Sequence, residues 1–147
     1  MKEVKFRSLS KDDLEQVVAI QASITRSQVS ERWQKMLSDH VGSAEQIGIV
    51  AELQGRVIGF IIGEIKVGGF GSELAGWFEM VGVMPEHMGS GIGRQLGREL
   101  LKSFHSQGVE EVFTAVRWDS GDMLAFFKSL GFDRSPLINL QLSLRDD

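Results

Sequence analysis

The residues best suited to chemistry in this chain are glycines. In Val81-Gly82-Val83-Met84-Pro85-Glu86-His87-Met88-Gly89-Ser90-Gly91-Ile92-Gly93-Arg94-Gln95-Leu96, an apolar run stops at a proline and three glycines at alternate positions open a helical pattern. Glycine at 89, 91 and 93 removes side chains where the backbone turns, so that successive N–H groups can face outward. The helix N-terminus behind them adds about half a positive charge. Such a cradle suits a pyrophosphate. A Walker loop requires Gly-Lys-Ser/Thr after the glycines, and the chain has Gly93-Arg94-Gln95. A dinucleotide fingerprint starting at Gly91 requires Gly or Ala where Leu96 stands, and a tighter turn than Met84 to Ser90 allows.

The elements that must hold this loop follow from periodicity. Val4–Leu9 reads as a short strand, and Ser10 as an N-cap before Lys11-Asp12-Asp13-Leu14. Leu14, Val17 and Val18 trace a helix to about Ile24, and Ser30-Glu31 opens a second carrying Trp33, Met36 and Leu37. Ile47–Leu53 and Val57–Val67 form a hairpin around Gln54-Gly55-Arg56. Gly68–Ser72 is a loop, either a plain hairpin turn or a lid. Trp77–Met84 is a further strand. Ile92, Leu96, Leu100 and Phe104 recur at i+4 in a helix that Gly108 ends. Glu111–Val116 is a strand, Asp122–Leu130 a helix closed by Gly131, and the alternation of Ile138, Leu140, Leu142 and Leu144 predicts a last strand. This order predicts one α/β (α+β) domain spanning 1–147, with a mixed sheet between helices.

Composition sets the outer limits. The 147 residues hold 16 Lys plus Arg against 20 Asp plus Glu, a net charge of −4, which disfavours a nucleic-acid partner. With no cysteine, disulfides and thiolate nucleophiles are excluded, and three histidines make a multi-histidine metal centre improbable. The first residues lack a signal-type apolar region and no run approaches 18 apolar residues, so the expectation is a cytoplasmic protein without membrane attachment. Glycine counts 17, twelve of them between Gly55 and Gly97, and tyrosine is absent.

Val83-x-Pro85-Glu86-x-x-Gly89-x-Gly91-Ile92-Gly93-x-x-Leu96 resembles the coenzyme A pyrophosphate loop of the GNAT N-acetyltransferase superfamily. Downstream, Val116-Arg117-Trp118-Asp119-Ser120-x-x-x-Leu124-x-Phe126-Phe127-x-x-Leu130-Gly131-Phe132 is similar to that family's C-terminal motif. The resemblance covers roughly residues 47–134. It implies a GNAT-like acyl-CoA N-acyltransferase fold, a mostly antiparallel central sheet flanked by helices, with acetyl-CoA as co-substrate and no metal. On that reading Met88, Gly89, Ser90, Gly91, Ile92, Gly93 and Arg94 surround the pyrophosphate. The backbone groups of Val81 and Val83 hold the pantetheine arm, beside a strand that splays at Gly82. Ser120 and Phe127 also lie along the cofactor.

The departures are specific. Met88 stands where relatives usually carry Arg or Gln, Ser120 where they carry Asn, and Phe127 where many carry the Tyr that protonates the departing thiolate. Water or Ser120 is then the proton donor. Glu79, four residues before Val83, is the candidate base; alternation puts Glu79, Val81 and Val83 on one face, where the carboxylate could order a water that deprotonates the acceptor. The alternative is a structural acid paired with Arg or Lys. Trp33, Trp77 and Trp118 read as core or acceptor-pocket walls, and Gly93 and Gly97 as positions of close packing. The implied activity is transfer of an acetyl or short acyl group to a primary amine, on a small molecule or on a protein or peptide. A non-catalytic acyl-CoA sensor of the same fold and an oxidoreductase with a degenerate dinucleotide loop are the competing readings. The resemblance also leaves a homodimer open, through sheet edges or Ile138–Leu144.

Overall fold

A computed structural model of the chain describes residues 3–68 and 73–146. They fall into two compact units, one reaching Thr114 and the other starting at Ala115, and each is described by itself. The Gly68–Ser72 loop lies, apart from Gly68, outside the described residues.

The first unit carries β1 (Val4–Ser8), α1 (Leu14–Thr25), α2 (Glu31–Ser38), β2 (Gln46–Leu53), β3 (Arg56–Val67), β4 (Leu74–Val83), α3 (Ile92–Ser106) and β5 (Glu111–Phe113). The five strands form one sheet in sequence order; β1 to β4 are antiparallel neighbours and β5 joins β4 in parallel. Gln54 and Gly55 both have positive φ, 51° and 78°, as a two-residue turn between twisted strands demands. Seven successive residues of β3, Val57–Gly63, are buried, because both faces of the sheet are covered. On one face Val17, Ile20 and Leu37 of the first two helices pack with Val50, Val57, Phe60 and Ile62. On the other, Ile92, Leu96, Leu100 and Phe104 of α3 are buried at their i+4 spacing.

That second packing explains the glycines of the central strands. A Cβ on Gly59 would lie 3.2 Å from Leu96, one on Gly63 2.9 Å from Leu100 and Phe104, and one on Gly76 2.8 Å from Phe104. The sheet is stripped of side chains where α3 lies on it. Expected close packing at Gly93 and Gly97 thus has its clearest counterpart on the strands, although Gly97 itself is buried.

The helical layer on the other face is pinned by an ion-pair cluster. Arg7 on β1 donates from Nη1 and Nη2 to the Asp13 carboxylate at 2.7 and 2.9 Å, and from Nε and Nη2 to Glu52 at 3.0 and 2.8 Å. Asp13 also accepts the Ser10 amide at 2.9 Å, closing the turn before α1. The Arg7 hydrogen bonds hold the Asp13 carboxyl below the usual carboxylate range, against the opposing pull of burial, and raise the guanidinium in turn. A depressed carboxyl pKa contributes stability above its unfolded value that is lost as pH falls through its folded one. Asp13→Asn is therefore expected to lose about 2 kcal/mol at pH 7, less than a fully buried pair because Arg7 is partly solvated, or roughly 6 °C in Tm. The difference from the parent should shrink as pH falls below the usual carboxylate range, which thermal melts across pH would show.

The second unit contains α4 (Gly121–Ser129). Gly131, at φ 98°, closes it: the Phe132 amide donates to the Phe127 carbonyl and the Gly131 amide to that of Lys128, both at 3.0 Å. This double bond plus a C″–C3 apolar contact is the Schellman arrangement, and the Phe127 and Phe132 rings meet at 5.2 Å. α3 ends the same way at Gly108. The predicted last strand is absent. Residues 138–144 have neither helix nor strand structure. Alternation says which face a strand would bury, but a strand also needs a neighbour to bond.

Candidate active site

The site is built around the far end of β4. Along β3 the strand is paired throughout, whereas its contact with β5 is limited to Ala75–Trp77 against Glu111–Phe113. One further bond follows, from Thr114 Oγ1 to the Phe78 carbonyl at 3.1 Å. Beyond it, among the described residues, the edge of β4 from Glu79 to Val83 has no strand partner. Such an edge offers main-chain donors and acceptors to an extended ligand.

The same strand leads into the glycine loop. Met84 precedes a single 3₁₀ turn, Pro85–His87, whose proline needs no N–H acceptor there. Ser90 Oγ donates back to the His87 carbonyl, so this hydroxyl braces the turn. Gly89 and Gly91 have φ of 82° and 87°, and a Cβ on either would meet no protein atom within 4 Å. The glycines are required by the backbone, and the space above them is open. The amides of Gly89, Ser90, Gly91, Ile92 and Gly93 donate to no backbone acceptor among the described residues; the first bond of α3 runs from Gln95 to Gly91 at 3.0 Å. Five amides without a backbone acceptor at the start of a 15-residue helix make this a partly positive cluster of donors. The Ile92 side chain is buried and contributes only its amide, while Met88 is exposed.

Around Glu79 the structure corrects the expected alternation. Ile62 pairs with Met80 and Gly63 with Phe78, so Glu79 is the extra residue of a β-bulge. The two-residue count runs unbroken from Val81 to Val83, opposite Ile61 and Gly59, but not back through Glu79. Bulges re-aim a side chain, and Glu79 is exposed, with no hydrogen bond or ion pair among the described residues. The paired structural acid is thereby set aside. The strand irregularity lies at Glu79, three residues before Gly82.

Gly82 has another cause. It pairs with Phe60, and a Cβ there would lie 2.6 Å from the Phe60 ring and 2.9 Å from Ile24 of α1. The Phe60 ring is itself buried and meets Trp33 edge-on at 6.1 Å. Gly82→Ala is expected to destabilise the protein by about 1–3 kcal/mol through overpacking, read by denaturant titration.

In the second unit, Ser120 is the N-cap of α4. Its carbonyl accepts the Leu124 amide and its amide donates to Arg117, but its hydroxyl caps nothing. Phe127 is buried in the helix-closing motif beside Phe126 and Phe132. Trp118, expected as core or pocket wall, is 87% exposed. Arg117 and Asp119 flank it as an exposed bidentate pair, each holding the other's charged form. Trp77 lies half-buried, stacked on Phe113 at 5.4 Å with Lys66 over its ring. Among the described residues no three His, Asp or Glu side chains gather as a metal site, and no helix is long and apolar enough to cross a membrane.

A sheet that loses its β4 partner halfway and a glycine-opened helix at the end of that strand define a fold found in solved acetyltransferase structures. The aminoglycoside N-acetyltransferase AAC(6')-Iy, solved with CoA, superimposes with a TM-score of 0.84 over 99% of this chain and 97% of its own, at 16% identity. The sequence pattern of the acetyltransferase (GNAT) family matches residues 14–132, and the chain belongs to that family. A mycothiol acetyltransferase of Amycolatopsis mediterranei is 38% identical over 88 residues, 58% of this chain and 29% of that protein. The N-alpha-acetyltransferase RimI of Mycobacterium tuberculosis is 48% identical over 54 residues, 37% of this chain and 32% of that protein. The chain thus spans less than a third of the length of these curated relatives.

Proposed function

We propose that the chain is an acetyl-CoA-dependent N-acetyltransferase that moves an acetyl or short acyl group to a primary amine by direct attack. The observation that carries this is the joining of two main-chain surfaces on one stretch of backbone: the unpaired edge of β4 and the five free amides of Gly89–Gly93. An extended amide-bearing arm ending in a diphosphate matches that sequence of donors. Val81 and Val83 would hold the arm and the glycine loop the diphosphate. Arg94 adds a cation beside the loop. The thioester supplies an activated acyl carbon and a thiolate leaving group.

What remains for the side chains is proton transfer, and the two transfers are unequal. A lysine-like ammonium of pKa ~10.4 must lose its proton before attack, about 4.6 kcal/mol at pH 7. A thiol of pKa ~8.5 leaving as thiolate sacrifices about 2 kcal/mol on the same scale. Glu79, unpaired and re-aimed by the bulge, takes the heavier task through an ordered water. The lighter task falls to water. Among the relatives, one is named for acetylating mycothiol and another, RimI, as an N-alpha-acetyltransferase. An amine on a small molecule or on a protein or peptide is the acceptor proposed here, in the cytoplasm and without a metal.

Thermal shift with acetyl-CoA, longer acyl-CoAs and NAD, followed by an amine panel read by thiol release, tests the reading. CoA thioesters should stabilise the protein and at least one amine should release free CoA. Stabilisation by CoA thioesters with no acceptor turned over would favour an acyl-CoA sensor, and stabilisation by NAD alone would overturn both.

A further inference from the structure

The two faces of the sheet at β4 differ in what they offer a ligand. α3, which the glycine loop opens, packs on one face, and α1 and α2 on the other. A diphosphate held at the α3 end leaves the second face to the acceptor. There Ile24 of α1 reaches the middle of the Glu79–Val83 stretch: a Cβ on Gly82 would lie 2.9 Å from its Cδ1. Ile24 is nonetheless 39% exposed. Met80 and Trp33 are half-buried, packed against the core cluster of the same face. The Trp33 indole N–H is wholly buried, so what this side chain leaves accessible is ring carbon.

Charge is sparse beside this apolar wall. Glu79 is the one acid of β4. Residues 21–33, which run from the end of α1 into α2, carry two arginines, Arg26 and Arg32, against a single acid, Glu31. One carboxylate on the strand can seat one ammonium. A second ammonium on the same acceptor would meet hydrocarbon and a net positive segment, and a charge desolvated without a partner is costly.

We infer that the acceptor is a monoamine on an apolar body, with its nitrogen beside Glu79 and its carbon chain against Ile24, Trp33 and Met80, and that polycationic amines are refused. The inference rests on the acetyltransferase reading above and narrows it. It sets the chain apart from the aminoglycoside N-acetyltransferase whose fold it shares, because aminoglycosides carry several ammonium groups. In the transfer the ammonium gives one proton to the water that Glu79 orders. The nitrogen then forms the amide bond as the C–S bond breaks, and its second proton passes through water to the sulfur, which leaves as free thiol.

Thiol release with acetyl-CoA at about pH 8, where these amines are still protonated, tests this on the parent protein. From propylamine to hexylamine, kcat/KM should rise about 4-fold for each added methylene. Hexamethylenediamine, which is hexylamine with a second ammonium, should fall about 30-fold below it, and an aminoglycoside further. Ile24→Glu places a carboxylate at the wall and should bring the diamine to within about 3-fold of hexylamine; a thermal melt checks that this variant is folded, and the parent series decides if it is not. Equal or better turnover of the diamine or the aminoglycoside, a rate flat with chain length, or an unchanged preference in folded Ile24→Glu would each overturn the inference and leave acyl transfer standing. Thiol release with no amine at all would instead overturn the transfer reading, and the inference with it.

Discussion

Gly91→Val is expected to weaken acetyl-CoA binding by about 100-fold while leaving the protein folded. At φ 87° the residue lies in the left-handed region, which a β-branched side chain enters at a cost of roughly 1–2 kcal/mol or more. No protein atom lies within 4 Å of the site a Cβ would take, so the loop is free to relieve that strain by turning its peptides. Turning them re-aims the amides of Gly91 and Ile92. Two hydrogen bonds to a charged diphosphate, at about 1.5–3 kcal/mol each, account for the loss. Gly108→Ala is the control: its φ is 86°, at the other end of the same helix and away from the loop, with only Leu74 near, at 3.9 Å. It should lower Tm without changing the affinity. Calorimetric titration of both variants separates a binding loop from a helix end that merely needs glycine. Parent-like affinity in Gly91→Val would remove the pyrophosphate assignment.

What the sequence made legible was local. The i+4 stripe of α3, the hairpin at Gln54-Gly55 and the helix-closing glycines at 108 and 131 each depend on residues within one turn of each other. The glycine loop was legible for the same reason: its positive φ values and its free amides are properties of the backbone at those positions. Features set by residues distant in the chain were not. Nothing near Glu79 announces a bulge, because its register is fixed by how β3 meets β4 at Ile62 and Gly63. Gly82 was expected to mark a splay of the strand, whereas the side chains that crowd it, Phe60 and Ile24, come from another strand and a helix. Ser10 announces the turn before α1, whereas the Arg7 bridge to Glu52 spans 45 positions. Ile138–Leu144 shows the limit most sharply: its pattern is that of a strand, and among the described residues no strand pairs with it.

Glu79→Gln is expected to lower kcat/KM about 100-fold at pH 7, the lower range for losing a general base, with affinity for acetyl-CoA and Tm both unchanged. Tm should hold because the carboxylate has no hydrogen bond or ion pair to lose, so the substitution separates catalysis from folding unusually well. Affinity should hold because the proposed cofactor contacts are main-chain groups of Val81, Val83 and Gly89–Gly93. The pH dependence gives the decisive sign. Near neutrality the acceptor is almost all ammonium, and the variant must wait for the rare free amine. As pH rises toward the amine's pKa of ~10.4, free amine accumulates without help and the deficit should shrink. A carboxylate that only attracted a cationic acceptor would behave otherwise: Glu79→Gln would then raise KM for the amine and leave kcat intact at saturation. A full kcat and KM profile from pH 6 to 10 (a range of about four units spanning the amine's titration) distinguishes the two roles, and a deficit that stays constant across it would leave Glu79 without the base's part.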